Sequence, residues 1–346
     1  MPLPKQHEVD VWNRALSRVG DAKIVLEADV AVTSVSAANP PLVTTAAHGY
    51  ATGDRVLLFD MTGGAEINGR VFRVVVLSGV TFNLYREDGS TNAAATGGLC
   101  ARLPATKISK TCFDAWPEVR DEVIRAHPWN SIVKRTRLAR LAAAKTITAV
   151  SQATVAVVTS AAHGYAAGDL VLIENVVGMT ELNGRYFTVG TVAVNTFELA
   201  GEDSTGYVAY SSAGTAKKAL TPLRPDFGYG YRYPIPADCE RVLELADDPE
   251  FQWELEGREV MTDAGITVPI RYCARITDPD LWDSQLANVM AARLAVEIVE
   301  ELTQSKGKRE LAITEYDGMI SEARRQDAQE QSPQEFAEDD WVLARL

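Results

Sequence analysis

One phrase of the chain occurs twice: TAAHGYATGDRVLLFD begins at Thr45, and SAAHGYAAGDLVLIEN begins at Ser160, 115 residues later. Without a gap, His48-Gly49-Tyr50 recurs as His163-Gly164-Tyr165, Gly53-Asp54 as Gly168-Asp169, and Asn68-Gly69-Arg70 as Asn183-Gly184-Arg185. Phe72, Phe82, Leu84 and Glu87-Asp88 return as Phe187, Phe197, Leu199 and Glu202-Asp203. Such a duplication constrains the fold strongly, because whatever unit one copy forms the other must form too. Asn-Gly between apolar runs signals a hairpin, since both positions tolerate positive φ. Gly-Asp marks a turn before the strand-like runs DRVLLF and DLVLIE, and the recurring Phe and Leu residues fall where strand interiors alternate between core and solvent. What recurs is turn and core chemistry. Each copy therefore reads as a small barrel or sandwich of about five or six short strands.

Between and around the copies the texture is helical. HEVDVWNRALSRVG places Val11, Trp12, Ala15, Leu16 and Val19 on one stripe, with Gly20 as the stop. KTCFDAWPEVRDEVIRAHPWNSIVKRTRLARLAA keeps Phe113, Trp116, Val119 and Val123 at helical spacing, and Pro128 is expected to divide it into two helices. TPLRPDFGYGYRYPIPADCERVLEL and QWELEGREVMTD read as a loop and antiparallel strands. A strong helix follows, with Asp278 as expected N-cap, Pro279 in its first turn and Leu286, Val289, Met290 and Ile298 as its buried stripe. A polar helix from about Lys308 to Gln329 precedes the end.

The expected fold class is α+β: a helical-bundle body with antiparallel strands, plus two homologous inserted all-β domains. The expected division is 1–30, first part of the helical body; 31–103, β domain 1; 104–146, second part of the body; 147–220, β domain 2; 221–330, third part; and 331–346, a C-terminal docking arm. Trp12, Trp116 and Trp129 are expected core anchors.

Net charge is −13 and uneven. From Asp226 to Leu346 there are 27 acidic and 12 basic residues, a balance of −15, which leaves about +2 for the first 225. That argues against a general nucleic-acid binder, which needs a basic surface, though not against a wall that DNA slides past. The basic stretch VKRTRLARLAAAK reads either as a contact for phosphate or an acidic neighbour, or as a solvated helix face. Cys100, Cys112, Cys239 and Cys273 share no metal-site spacing and are expected to be buried thiols. With no long apolar run and no apolar core in its opening residues, the chain is expected to be made in the cytoplasm as a soluble protein.

Signatures for phosphate loops, dinucleotide folds, hydrolase elbows and zinc proteases are missing from the sequence. His48 and His163 each have a nearby acid, Asp54 or Asp169, but no repeated nucleophile, so a structural role is expected. Asp278, Asp280 and Asp283, with Glu297, Glu300 and Glu301 further along, could suit a metal nuclease; helix capping explains the aspartates more simply. Phe227, Tyr229, Tyr231 and Tyr233 alternate as a stacking platform or as a strand with one packed face. Neither catalytic residue, metal nor cofactor is assigned.

With the two inserts removed, VWNRALSRVGDAKI, CFDAWPEVRDEVIRAHPWN, FGYGYRYPIPADCERVLEL, WELEGREVMTD and IRYCARITDPDLWDSQLANVMAARLAVEIVEELT together resemble the tail tubular protein A, or head-to-tail adaptor, of short-tailed bacteriophages. The inserts resemble small β modules of phage structural proteins and a β domain of ubiquitin-activating enzymes. The adaptor resemblance implies a structural virion protein at the head-tail junction: a homo-oligomeric ring, usually of twelve copies, joining the portal protein to the tail nozzle or tube, with genomic DNA passing through its lumen. Two other classes stand beside it, a glycan-binding or host-surface module carried by the inserts and a carboxylate nuclease. The segment SPQEFAEDDWVLARL combines acids with Phe336, Trp341, Val342, Leu343 and Leu346, which are expected to dock on the portal or a neighbouring subunit or, alternatively, to pack on the chain's own body.

Overall fold

The structure is a computed structural model and describes residues 7–64, 66–85, 94–220, 223–245, 252–264 and 267–330. The chain divides into two compact units. The first comprises 1–134, 238–241 and 272–346, the second 135–237 and 242–271. The chain changes units within the strands Val133–Leu138, Cys239–Leu245 and Val268–Ala274.

In the first unit, helix α1 (Glu8–Val19) starts with Asp10 accepting from the His7 amide at 3.0 Å and stops at Gly20, whose φ of 76° only glycine adopts freely. Its predicted stripe, Val11, Trp12, Ala15, Leu16 and Val19, is buried throughout. Helix α2 (Lys107–Ala126) is capped by Thr106 and runs through Pro117. It ends at His127, which the ring of Pro128 holds in an extended conformation. Helix α3 (Ser284–Thr303) packs against α1, α2 and α4 (Lys306–Gln329) and buries Leu286, Val289, Met290 and Ile298. Trp12, Trp116 and Trp129 are 0, 3 and 2 % exposed.

The same unit contains the first repeat as a closed barrel. Strands Val30–Val35, Leu42–Thr45, Thr81–Leu84, Arg70–Ser78, Arg55–Phe59 and Leu99–Arg102 pair in that order, and the last returns to the first through Val30↔Cys100 and Ala31↔Leu99. Closure leaves this sheet without a free edge along the ring. Val43, Val56, Leu58, Ile67, Phe82 and Leu84 fill the interior.

The second unit repeats the pattern. Val171 sits between Phe187 and Lys218 as Val56 sits between Phe72 and Arg102. The first barrel strand is here two short pieces, Lys145–Thr146 and Ala149–Val150, which pair with the same partners. Phe197, Leu199, Val158, Val171, Ile173 and Leu182 form the core. The unit also holds a three-stranded sheet of Tyr231–Pro234, Glu259–Thr262 and Trp253–Glu256.

Three expectations are corrected. The body is not a helical bundle: strand accounts for 34 % of the described residues, among which only four α-helices occur. The helical stripes were real, but the strands are short and their partners distant, so their share of the fold is hidden in local periodicity. Pro128 does not separate two helices, because VKRTRL after it forms the strand Val133–Leu138. Asp278 caps only a 3-10 turn, Pro279–Leu281; Asp283 caps α3 itself by accepting from the Gln285 amide at 2.9 Å.

Candidate functional site

The repeated phrase builds a frame. In the second copy His163 is buried; its Nδ1 accepts from the Tyr165 amide at 3.0 Å, leaving Nε2–H to donate to the Ala193 carbonyl at 2.8 Å. Tyr165 donates its hydroxyl to the Ala216 carbonyl at 2.8 Å, and burial pushes that phenol up to about 12. His48 accepts from the Tyr50 amide at 2.9 Å and stacks on the Tyr50 ring at 4.7 Å. Asp54 accepts from the Ala51 amide at 2.9 Å and pairs with Arg102 at 3.2 Å; Asp169 accepts from Ala166 at 2.8 Å and pairs with Lys218 at 2.7 Å. Burial works against the Asp169 charge, but the Ala166 amide and Lys218 outweigh it and hold the carboxyl below its ordinary value. Asn68 and Asn183 each tie a turn, accepting from the Met61 amide at 3.2 Å and the Val176 amide at 2.8 Å. Both histidines therefore hold turns closed.

Where the two copies differ is the backbone edge at Gly-Arg. In the first copy α1 meets this edge. The Glu8 amide donates to the Gly69 carbonyl at 2.9 Å, and Glu8 Oε2 accepts from the Val71 amide at 2.8 Å. Glu8 Oε1 accepts from Trp116 Nε1 at 2.7 Å. The side chain is fully buried, 2 % exposed by residue, and burial raises its pKa against the pull of Arg70 and Arg120. A buried carboxylate thus joins α1, the barrel and α2. No motif in the sequence singles out Glu8, because the donors it meets lie 63 and 108 residues away, beyond any local signal.

In the second copy Gly184 and Tyr186 stand where Gly69 and Val71 stand in the first. Among the described residues no carboxylate or helix end bonds the Gly184 carbonyl or the Tyr186 amide. Instead the edge lines a cleft of about 650 Å³, with Arg135, Thr136, Arg137, Leu170, Arg185 and Pro269 among its walls. Arg135 and Arg137 are exposed. Arg185 is committed to Glu202, with contacts of 2.6 and 2.9 Å. Tyr186 reaches the Arg137 carbonyl with its hydroxyl at 3.4 Å.

Residues 150–219 match the family model of the ubiquitin-activating enzyme E1 FCCH domain. No curated protein matches the chain. The match covers the second repeat alone, and what it supports is a likeness of that module to one domain of an enzyme family. It also overturns the phage assignment: the family model that matches is not a head-to-tail adaptor family, so the resemblance to the tail tubular protein A, and the bacteriophage and virion associations drawn from it, are withdrawn. The wording that carried that resemblance has a plainer basis. RDEVIRAHPWN is the end of α2 with its proline stop, and CERVLEL is a strand that buries Cys239, Val242 and Leu245.

The remaining expectations fall as follows. Phe336, Trp341, Val342, Leu343 and Leu346 lie outside the described residues. Asp278 and Asp283 bond backbone amides at 3.1 and 2.9 Å as caps, and among the described residues no group of His, Cys, Asp and Glu is arranged to hold a metal. Of the aromatic run, Phe227 is 89 % exposed while Tyr233 is fully buried and donates to the Ala264 carbonyl at 3.2 Å. The basic stretch forms strand over Val133–Leu138, not helix, and supplies Arg135, Thr136 and Arg137 to the cleft.

Proposed function

We propose that the chain is a structural adaptor, a protein that holds segments of other proteins and assembles with copies of itself, without turning over a substrate. The observation that supports this is the use made of the repeated module. Its recurrent His, Tyr, Asp and Asn residues all serve turns and core, while its Gly-Arg edge receives a helix end through two hydrogen bonds. A small barrel that grips another segment by its backbone edge is a binding element. The likeness to a domain of ubiquitin-activating enzymes is compatible with this role, since the matched stretch is a single small module.

Sedimentation and native mass spectrometry of the full chain over a range of concentrations test the proposal. Defined oligomers are expected. A chain that stays monomeric at every concentration, and that hydrolyses or transfers a substrate in an activity screen, would overturn it.

A further inference from the structure

We propose that the cleft beside Gly184–Tyr186 is a docking site for an acidic segment of a partner protein, one that presents a glutamate as α1 presents Glu8 to the first copy. The inference deepens the adaptor reading and rests on it. The duplication supplies a template for both halves of the contact. In the first copy a glutamate straddles the edge, its amide on the Gly69 carbonyl and its carboxylate on the Val71 amide, with Arg70 and Arg120 as its nearest cationic influences. In the second copy the corresponding residues, Gly184 and Tyr186, line a cleft, and among the described residues no carboxylate or helix end bonds their carbonyl and amide. The strand pairing is the same, residue for residue: Leu57↔Val71 and Leu58↔Arg70 become Leu172↔Tyr186 and Ile173↔Arg185. An amide and a carbonyl two residues apart are thus presented in the geometry that the first copy uses.

The charge around the cleft selects the occupant. Arg135 and Arg137 stand on alternate positions of one strand, exposed, and neither side chain forms an ion pair among the described residues. Arg185 lines the same cleft but is held by Glu202, so the first two arginines supply the cationic surface. A carboxylate entering there gains a backbone N–H and two guanidinium groups, which is charge-assisted bonding of the kind that arginine provides best. A cation, or a segment whose first residue is proline and so lacks the N–H for Gly184 O, would not fit.

The test uses the full-length protein and a labelled, acetylated peptide of sequence HEVDVWNRALSRVG, the segment that fits the homologous edge, with binding read by fluorescence anisotropy and hydrogen exchange. Saturable binding is expected, with exchange slowed over residues 184–188 and unchanged over 69–73. Replacing the peptide's glutamate by glutamine should weaken binding about tenfold, as loss of a charged hydrogen bond does. The protein variant Arg135→Glu/Arg137→Glu should weaken it at least as much, with its circular dichroism melt confirming the fold. Absence of binding, equal binding of the glutamine peptide, or protection appearing at 69–73 instead would overturn the proposal. So would binding that appears only after residues 332–346 are deleted, which would give the cleft to the chain's own acidic end. A chain that oligomerises yet ignores the peptide sinks this site while leaving the adaptor reading intact.

Discussion

Glu8 satisfies two donors from different elements at once, the Val71 amide and the Trp116 indole N–H. In Glu8→Gln one oxygen still accepts, but the amide nitrogen faces an N–H, so one buried donor goes unmet. A loss of about 1–3 kcal/mol in denaturant unfolding is expected. The pH dependence has a definite sign. Burial raises the folded pKa, so the contribution of Glu8 is fully present below its ordinary value of 4.5 and declines as pH rises through the folded pKa. The gap between wild type and Glu8→Gln should therefore be widest in acid and narrow above it; a gap that widens with pH would contradict the assignment. Asp169 behaves oppositely, since its folded pKa is lowered. Asp169→Asn should cost about 1 kcal/mol at neutral pH, and that difference should vanish as pH falls below 3.8 through the folded value. Trp116→Ala removes a nearly buried indole and a Glu8 donor together, and a loss of about 3–5 kcal/mol is expected in the same measurement.

At the scale of elements, the two barrels share a frame but not a role. The first is bound into its unit by Glu8 and by the contact of α1 with the strand Arg70–Ser78. The second presents the same edge to a cleft. Replacing 31–103 by a short Gly-Ser linker should strip Glu8 of its barrel partners and lower the unfolding midpoint of the helical part, followed by circular dichroism at the helix band. Replacing 147–220 should leave that transition in place, because no residue of the first unit belongs to that module. Equal damage from both deletions would show that the second module supports the helices as well.

Across the whole molecule, charge and architecture point in one direction. The excess of acid beyond Asp226 leaves the chain's cations to act locally, and Arg135 and Arg137 are exposed at a cleft rather than spread over a nucleic-acid surface. If the chain is an adaptor that self-assembles, its oligomers should persist in Arg135→Glu/Arg137→Glu while peptide capture is lost. Native mass spectra of wild type and variant in parallel check this. Dissociation of the variant into monomers would make the cleft a contact between copies of the chain.

The duplication, the turns at Gly53-Asp54 and Asn68-Gly69, and the buried stripes of α1 and α3 were legible from the amino-acid order alone. Each depends on residues within a few positions of one another, where backbone sterics and helical periodicity leave a direct trace. The balance of strand over helix was not, nor was the strand at Val133–Leu138. Barrel closure depends on pairings such as Val30↔Cys100, 70 residues apart, for which no spacing in the sequence stands. The candidate site was hidden for the same reason. His48 and His163 drew attention because they repeat, yet they serve the frame; the difference between the copies lies in what meets the edge at Gly69 and at Gly184. That was decided only when folding brought Glu8 to Val71 and left Tyr186 beside two arginines, since hydrogen bonds between distant residues select positions in space and not in sequence.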